Sequence, residues 1–281
     1  MTYAVETKDL TKHFRVGLKR KVVALDHLNL QVREGEVYGL LGPNGSGKST
    51  TLKLVLGLHR PTAGESTIFG RPSETVVSRL EVGLLPENPY FYRYLSGEET
   101  LRFYGKLCRV TGAKLEKRID EILELVGLSQ SRHRRLGGYS KGMLQRIGLA
   151  QAMIHEPKLL LLDEPTAGVD PEGSMDIRNL IIKLKKMGKT IILCSHLLAQ
   201  VQDVCDRISI LRYGKMVLEG DVKELLSREE QYQFVAGGLS DKDLEEIKRI
   251  ISQKGVLVSA SHPTTTLEEL YMSSVGGTKI I

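Results

Sequence analysis

Cysteine is scarce in this chain. Its 281 residues hold three, Cys108, Cys194 and Cys205, and their separations fit no metal-ligand spacing. Cys194 and Cys205 sit in apolar stretches and read as core thiols, which suits a reducing cytoplasm. Long apolar runs are also missing. No window approaches the roughly 18 apolar residues that a membrane-spanning helix needs. The first residues reach Glu6, Lys8 and Asp9 without an apolar stretch, so no signal peptide is expected. Any membrane role must therefore come through a partner. The net charge is +6, but the basic residues are scattered rather than blocked. That favours a solvated surface over a nucleic-acid face. No internal repeat occurs.

What is present is enough apolar material for a sizeable core, 41% of residues. The length suits one large α/β domain with a small appendage. The most informative stretch is Gly42-Pro43-Asn44-Gly45-Ser46-Gly47-Lys48-Ser49-Thr50, which fits the phosphate-loop pattern G-x-x-x-x-G-K-[ST]. Val37–Leu41 before it reads as a buried strand, and 51–57 after it as a helix. Gly42, Gly45 and Gly47 allow backbone turns that a side chain would block. Several N–H groups can then point inward at one phosphate chain, helped by the positive end of the helix that starts near Lys48. Lys48 is expected on the β- and γ-phosphates, the Ser49 hydroxyl on Mg²⁺, and Thr50 near the α-phosphate.

Along the chain, 3–6, 22–25 and 28–32 alternate like antiparallel strands, with a basic loop at 13–21 between them. Phe14 on that loop either stacks on a nucleotide base or caps the small sheet. A hairpin strand follows at 65–70, and 82–86 reads as a buried strand that Pro86 stops. From about 96 to 154 the pattern is helical, an inserted lobe with helices near 98–108, 115–126 and 141–154. Arg132-His133-Arg134-Arg135 within it reads as an exposed charged loop. The chain returns to a buried strand at Lys158–Glu164, a helix at 172–187, a strand at 190–194 and a hairpin at 208–220. This alternation implies a mainly parallel sheet covered by helices, with ligands at the carboxyl ends of its strands. Beyond 221 a small α/β appendage is expected, with a short helix at 222–227, a helix at 241–253, a strand at 256–258, and the segments 231–235 and 266–271. His262 reads as a loop residue and 276–279 as a frayed tail.

Asp163 stands 115 residues after Lys48, at the end of an apolar strand. That position suits a carboxylate holding Mg²⁺ through water, opposite Ser49. Glu164 beside it can orient and polarise the water attacking a γ-phosphate. Two adjacent acids at a buried strand end need a cation nearby, which Mg²⁺ and Lys48 supply. His196, 33 residues after Asp163 and following another apolar strand, can contact the γ-phosphate and that water.

Tyr139-Ser140-Lys141-Gly142-Met143-Leu144-Gln145-Arg146 resembles the L-S-G-G-Q signature of ABC ATPases. With the phosphate loop, Leu162-Asp163-Glu164-Pro165-Thr166, the D-loop Ala167-Gly168-Val169-Asp170 and His196, five motifs stand in that family's order. The resemblance covers about residues 3–220. It implies a P-loop NTPase core with an antiparallel β subdomain, a helical subdomain inserted at about 87–154, and an ATPase domain spanning 1–220 ahead of the appendage at 221–281. It implies ATP and Mg²⁺ as cofactors, base stacking for Phe14, and nucleotide contacts for Asp170. It also implies a head-to-tail dimer in which Ser140 and Gly142 close over the γ-phosphate held by the other subunit. One phosphate loop and one signature per chain call for a second ATPase subunit, a copy of this chain being expected ahead of a different partner. The remaining implied partner is a polytopic membrane permease, with this chain peripheral on the cytoplasmic side and no nucleic acid involved.

The chain departs from the family pattern in two places. The signature has Tyr139, Lys141 and Met143 for Leu, Gly and Gln, and Glu87 stands where the Q-loop glutamine is usual. Glu87 can still ligate Mg²⁺ or water but cannot donate an amide hydrogen bond. Both departures, and the tail at 266–271, resemble the subgroup that drives multidrug, antibiotic and sodium exporters. The segment Asn88-Pro89-Tyr90-Phe91-Tyr92 is aromatic for a surface loop. It is either a partner contact or packing within the lobe. The competing function is a soluble ABC ATPase without transport, such as an iron–sulfur cluster assembly factor. A DNA-repair or translation ATPase is disfavoured, because there is no coiled-coil insertion and no second cassette.

Overall fold

The computed structural model describes residues 3–17, 20–227, 238 and 240–255. The chain divides into two units, Met1–Leu225 and Leu226–Ile281. The first opens with two long antiparallel strands, β1 (Tyr3–Val16) and β2 (Arg20–Arg33), followed by β3 (Val37–Leu41) and α1 (Lys48–Val55). Next come β4 (Ala63–Ile68), β5 (Arg71–Pro72), α2 (Val76–Arg79) and β6 (Val82–Leu85). A helical stretch follows: α3 (Gly97–Leu107), α4 (Gly112–Leu125) and α5 (Lys141–Met153), with 3₁₀ turns at Ser129–Ser131 and Leu136–Gly138. Then come β7 (Leu159–Asp163), α6 (Pro171–Lys186), β8 (Thr190–Ser195), α7 (Leu198–Gln202), β9 (Arg207–Arg212), β10 (Lys215–Asp221) and α8 (Val222–Leu226), whose last residue is the first of the second unit. In the second unit the described helix is α9 (Asp241–Lys254), opened by a capping box between Ser240 and Asp243.

Two sheets form the first unit. One is antiparallel, in the order β2-β1-β4-β5. The other runs β10-β9-β3-β8-β7-β6 and is parallel apart from β10. The central strands are apolar on both faces because both faces are covered. Leu160 and Leu162 of β7 join one core cluster with the helices α3 to α6, while Leu159 and Leu161 join another with β1, β2 and α1. β3 and β8 divide in the same way, with Val37, Leu41, Ile191 and Leu193 on one side and Tyr38, Leu40, Ile192 and Cys194 on the other. Cys194 and Cys205 are buried thiols, as their apolar setting predicts, and burial pushes Cys205 up to about 12.

Two expectations need correction. Residues 13–16 and 20–21 are strand rather than loop, since Phe14 pairs with Val22 and Arg15 with Lys21. The ladder uses only backbone groups, so a charged, exposed ribbon can extend past the buried part of the sheet. Arg132 is not merely a solvated charge. Its guanidinium pairs with Glu98 at 2.8 Å and Asp120 at 2.8 Å, whereas Arg134 and Arg135 are exposed. The short helices α2 and α7 were not legible. Val76 and Val77 of α2 point to solvent, so no apolar face marks it. The segments 231–235, 256–258, 266–271 and 276–279, and His262, lie outside the described residues.

Candidate active site

Register assembles the site. In the order β3-β8-β7-β6, Leu41 pairs with Ser195, Asp163 with Cys194, and Leu85 with Leu162. The phosphate loop, His196, the Asp163–Glu164 pair and Glu87 therefore leave the same rim of one sheet, at the carboxyl ends of neighbouring strands.

The loop from Gly42 to Gly47 is shaped by backbone that only glycine adopts freely, with φ of 150°, 81° and 114° at Gly42, Gly45 and Gly47. Gly47 is also a close approach, since a Cβ there would lie 2.8 Å from the Ala24 carbonyl oxygen and 2.7 Å from Leu25. The Gly214 N–H donates to the Ser46 carbonyl at 3.0 Å and fixes the back of the loop to the β9–β10 turn. Pro43, Asn44 and Gly45 are exposed, Ser46 and Lys48 are buried, and Ser49 and Thr50 are half-buried in the first turn of α1.

The Lys48 ammonium folds back along the loop and donates to the Gly42 carbonyl at 2.7 Å. It also lies 3.5 Å from Glu164 Oε1, and both side chains are buried. Glu164 has φ 50°, a conformation costly for a residue with a Cβ. Its amide donates to the Cys194 carbonyl at 2.9 Å, so the turn is held by β8. The other carboxylate oxygen meets His196 Nδ1 at 2.9 Å. The result is a chain Lys48–Glu164–His196 across three strand ends. Asp163 lies beside Ser49. Burial raises the Asp163 carboxyl above its ordinary value; the Ser49 hydroxyl pulls it back, and the Glu87 and Glu164 charges push it further up.

Of the buried side-chain atoms without a hydrogen-bond partner among the described residues, Ser46 Oγ, Asp163 Oδ1 and Glu164 Oε1 lie at this rim, the last of them facing the Lys48 ammonium as an ion pair. Unsatisfied polar atoms are costly, so three at one rim mark a place shaped for a polar ligand. No group of three or more His, Cys, Asp or Glu among the described residues could hold a metal by itself. The Asp163 carboxylate beside the Ser49 hydroxyl is a donor pair that would fit Mg²⁺, which takes one or two carboxylates and completes its shell with water and phosphate oxygens. Glu87 is exposed, and its carbonyl accepts a hydrogen bond from Gln145 on α5 at 3.3 Å. The sequence places Gln145 in the signature stretch but assigns it no role; a polar amide among the apolar positions of that helix was the available signal.

Other candidates lie apart from this cluster. Ser140 caps α5, its hydroxyl accepting from the Met143 amide at 3.2 Å. Gly142 faces the D-loop and α6, where a Cβ would lie 3.2 Å from Val169. Asp170 caps α6 by accepting from the Gly173 amide at 3.0 Å. The contacts of these three run within the signature and D-loop segments, not to the phosphate loop of the same chain. Phe14 is half-buried, edge-on to His59 at 5.6 Å, with the Lys12 ammonium 5.2 Å from its ring. The aromatic segment at 88–92 divides: Phe91 is buried in the core cluster, while Tyr90 is 90% and Tyr92 47% exposed.

Comparison with known proteins agrees with this geometry. The ABC transporter family profile matches residues 25–167. An uncharacterised ABC transporter ATP-binding protein of Synechocystis is 42% identical over 254 residues, covering 89% of this chain and 72% of that one. The bacitracin transport ATP-binding protein of Bacillus licheniformis is 39% identical over 237 residues, covering 83% and 74%. Among solved structures, a dimeric ATP-binding cassette in a post-hydrolysis state with ADP and Pi aligns with TM-score 0.70 and 27% identity, over 78% of this chain and 98% of that one.

Proposed function

Because this chain belongs to the ABC transporter family of ATP-binding proteins, we propose that it powers an exporter by closing head-to-tail with a second copy of itself around two ATP molecules. ATP binding and hydrolysis come with the family. The finer assignments rest on the rim. Lys48, freed from Glu164, engages the β- and γ-phosphates as a point charge. Ser49 and Asp163, with Glu87, are the residues that would hold Mg²⁺, and the ion would supply charge neutralisation on the phosphates. Glu164 orients and polarises the attacking water, and His196 holds Glu164 in place through its Nδ1 contact. The loop from Gly42 to Thr50 wraps the phosphates and Phe14 stacks on the base. Ser140, Gly142 and Asp170 act across the dimer on nucleotide held by the partner.

The single observation that carries this reading is the shared rim, where Lys48 pairs with Glu164, Glu164 meets His196, and Asp163 stands beside them with a buried oxygen that has no hydrogen-bond partner. Export is supported by the bacitracin transport relative and by the departures at Tyr139, Met143 and Glu87. No described helix is long and apolar enough to cross a membrane. On this reading coupling to transport runs through a separate permease, with this chain on its cytoplasmic side. The ATPase domain spans 1–220 and the appendage 221–281. Purification of the tagged chain from solubilised membranes tests the assignment. Co-purification of a polytopic membrane protein whose presence raises ATP turnover is expected. Recovery of soluble assembly proteins alone would overturn it.

A further inference from the structure

Tyr139 stands where the family signature has leucine, and its side chain is engaged at both ends. The ring is buried in the same apolar cluster as Phe91, Leu101 and Leu136. The hydroxyl donates to the Ser131 carbonyl at 2.7 Å. It also presses on the first residue of α3, since a Cβ on Gly97 would lie 2.5 Å from Tyr139 Oη. Burial raises the phenol above its ordinary value, so it remains a donor.

Around that hydroxyl, two stretches of chain are laced together. The Leu136 amide donates to the Leu95 carbonyl at 2.8 Å, Gly137 to Arg93 at 2.9 Å, and Glu98 to Arg132 at 3.0 Å. Ser96 and Arg135 form an antiparallel bridge. The Glu98 carboxylate binds Arg102 at 2.5 Å and Arg132 at 2.8 Å. Residues 93–98 and 131–139 thus form one unit, and Tyr139 is its last member before the Ser140 cap.

We infer that Tyr139 is a positioning residue for Ser140: its hydroxyl, seated between the Ser131 carbonyl and Gly97, sets where the signature helix begins relative to the segment that follows the Q-loop. The proposal rests on the reading of Ser140 as a contact to nucleotide in the partner subunit. A leucine fills the apolar cluster but has no group to reach Ser131, so a signature with leucine lacks this tie. Gly97 is small because the hydroxyl occupies the space its Cβ would take.

The test pairs Tyr139→Phe with Gly97→Ala. Tyr139→Phe removes only the hydroxyl. It should speed hydrogen exchange at the Met143 amide, which Ser140 caps, about five- to tenfold, the scale of one hydrogen bond. In the Glu164→Gln background it should weaken ATP-driven pairing by a similar factor and leave the ATP affinity of the lone subunit unchanged. Gly97→Ala should act in the same direction by displacing the hydroxyl. The double variant should be no worse than Tyr139→Phe alone, because the next ring atom, Cζ, lies 3.5 Å from the added methyl, an ordinary contact. Unchanged exchange at Met143 in Tyr139→Phe, or summed defects in the double variant, overturns the inference. If the parent does not pair with ATP, the closure reading fails, while the exchange data still decide the role of Tyr139.

Discussion

Lys48 Nζ lies 3.5 Å from Glu164 Oε1, with both side chains buried at the rim of the parallel sheet. The residue expected to grip phosphate is thus paired with the residue expected to activate water. On the proposed reading, a γ-phosphate entering the loop would compete with Glu164 for Lys48, and binding would leave the carboxylate facing the substrate. Each of them compensates the other's buried charge.

Removing one partner alone should therefore harm the fold as well as the chemistry. Lys48→Ala leaves the Glu164 carboxylate buried beside His196 only, and should cost about 1–3 kcal/mol of stability. ATP affinity should fall about ten- to a hundredfold with the loss of a charge-assisted contact. Adding Glu164→Gln to Lys48→Ala should restore part of the melting temperature and none of the affinity. Calorimetry and nucleotide titration check this, and equal melting of the single and double variants would contradict it.

Glu164→Gln keeps the shape of the side chain and removes its basicity. Hydrolysis should slow about 10²–10⁴-fold while ATP still binds. Near-normal turnover in a steady-state phosphate-release assay would refute the assignment of Glu164 as base.

His196→Ala removes the hydrogen bond to the buried Glu164 Oε2 and should cost about 1 kcal/mol of stability, less than Lys48→Ala because His196 is 45% exposed along its side chain. Turnover should fall about 10²-fold, because Glu164 Oε2 loses the group that orients it. A stability loss without a rate loss would mean that the contact is structural only.

Glu98 gives a pH prediction. The Arg102 contact, then Arg132, holds its carboxyl below the ordinary value. A depressed carboxylate adds stability above the unfolded pKa, and that stability is lost as pH falls through the folded value. Melting temperature followed below about pH 5 should decline less steeply in Glu98→Gln than in the parent. Parallel curves would show that the ion pairs around Glu98 add nothing.

Much of the rim was readable in the sequence because its strands are buried on both faces. A run such as Leu159–Leu162 has one structural explanation, and the residues that end it project to where ligands bind. Glycine positions in the phosphate loop were readable for a similar reason, since the backbone there excludes side chains. What was not readable depends on partners far along the chain. Arg132 and Glu98 are 34 positions apart, and nothing local marks their pairing. Tyr139 looked like a deviation from a motif until Ser131 and Gly97 gave its hydroxyl a place. The strand at Phe14 was missed because an exposed ribbon needs no alternation of apolar residues. The sequence places Lys48 as a cation near the Asp163–Glu164 pair, but that it pairs with Glu164 in particular follows from the register of β3, β8 and β7.

The mass of the Glu164→Gln protein in solution, with and without Mg-ATP, tests the central claim most directly. ATP-driven head-to-tail closure predicts a monomer without nucleotide and a dimer at saturating Mg-ATP, with the shift abolished by adding Lys48→Ala. A mass that stays monomeric at saturating Mg-ATP, with nucleotide shown to be bound, would contradict closure by this chain with a copy of itself.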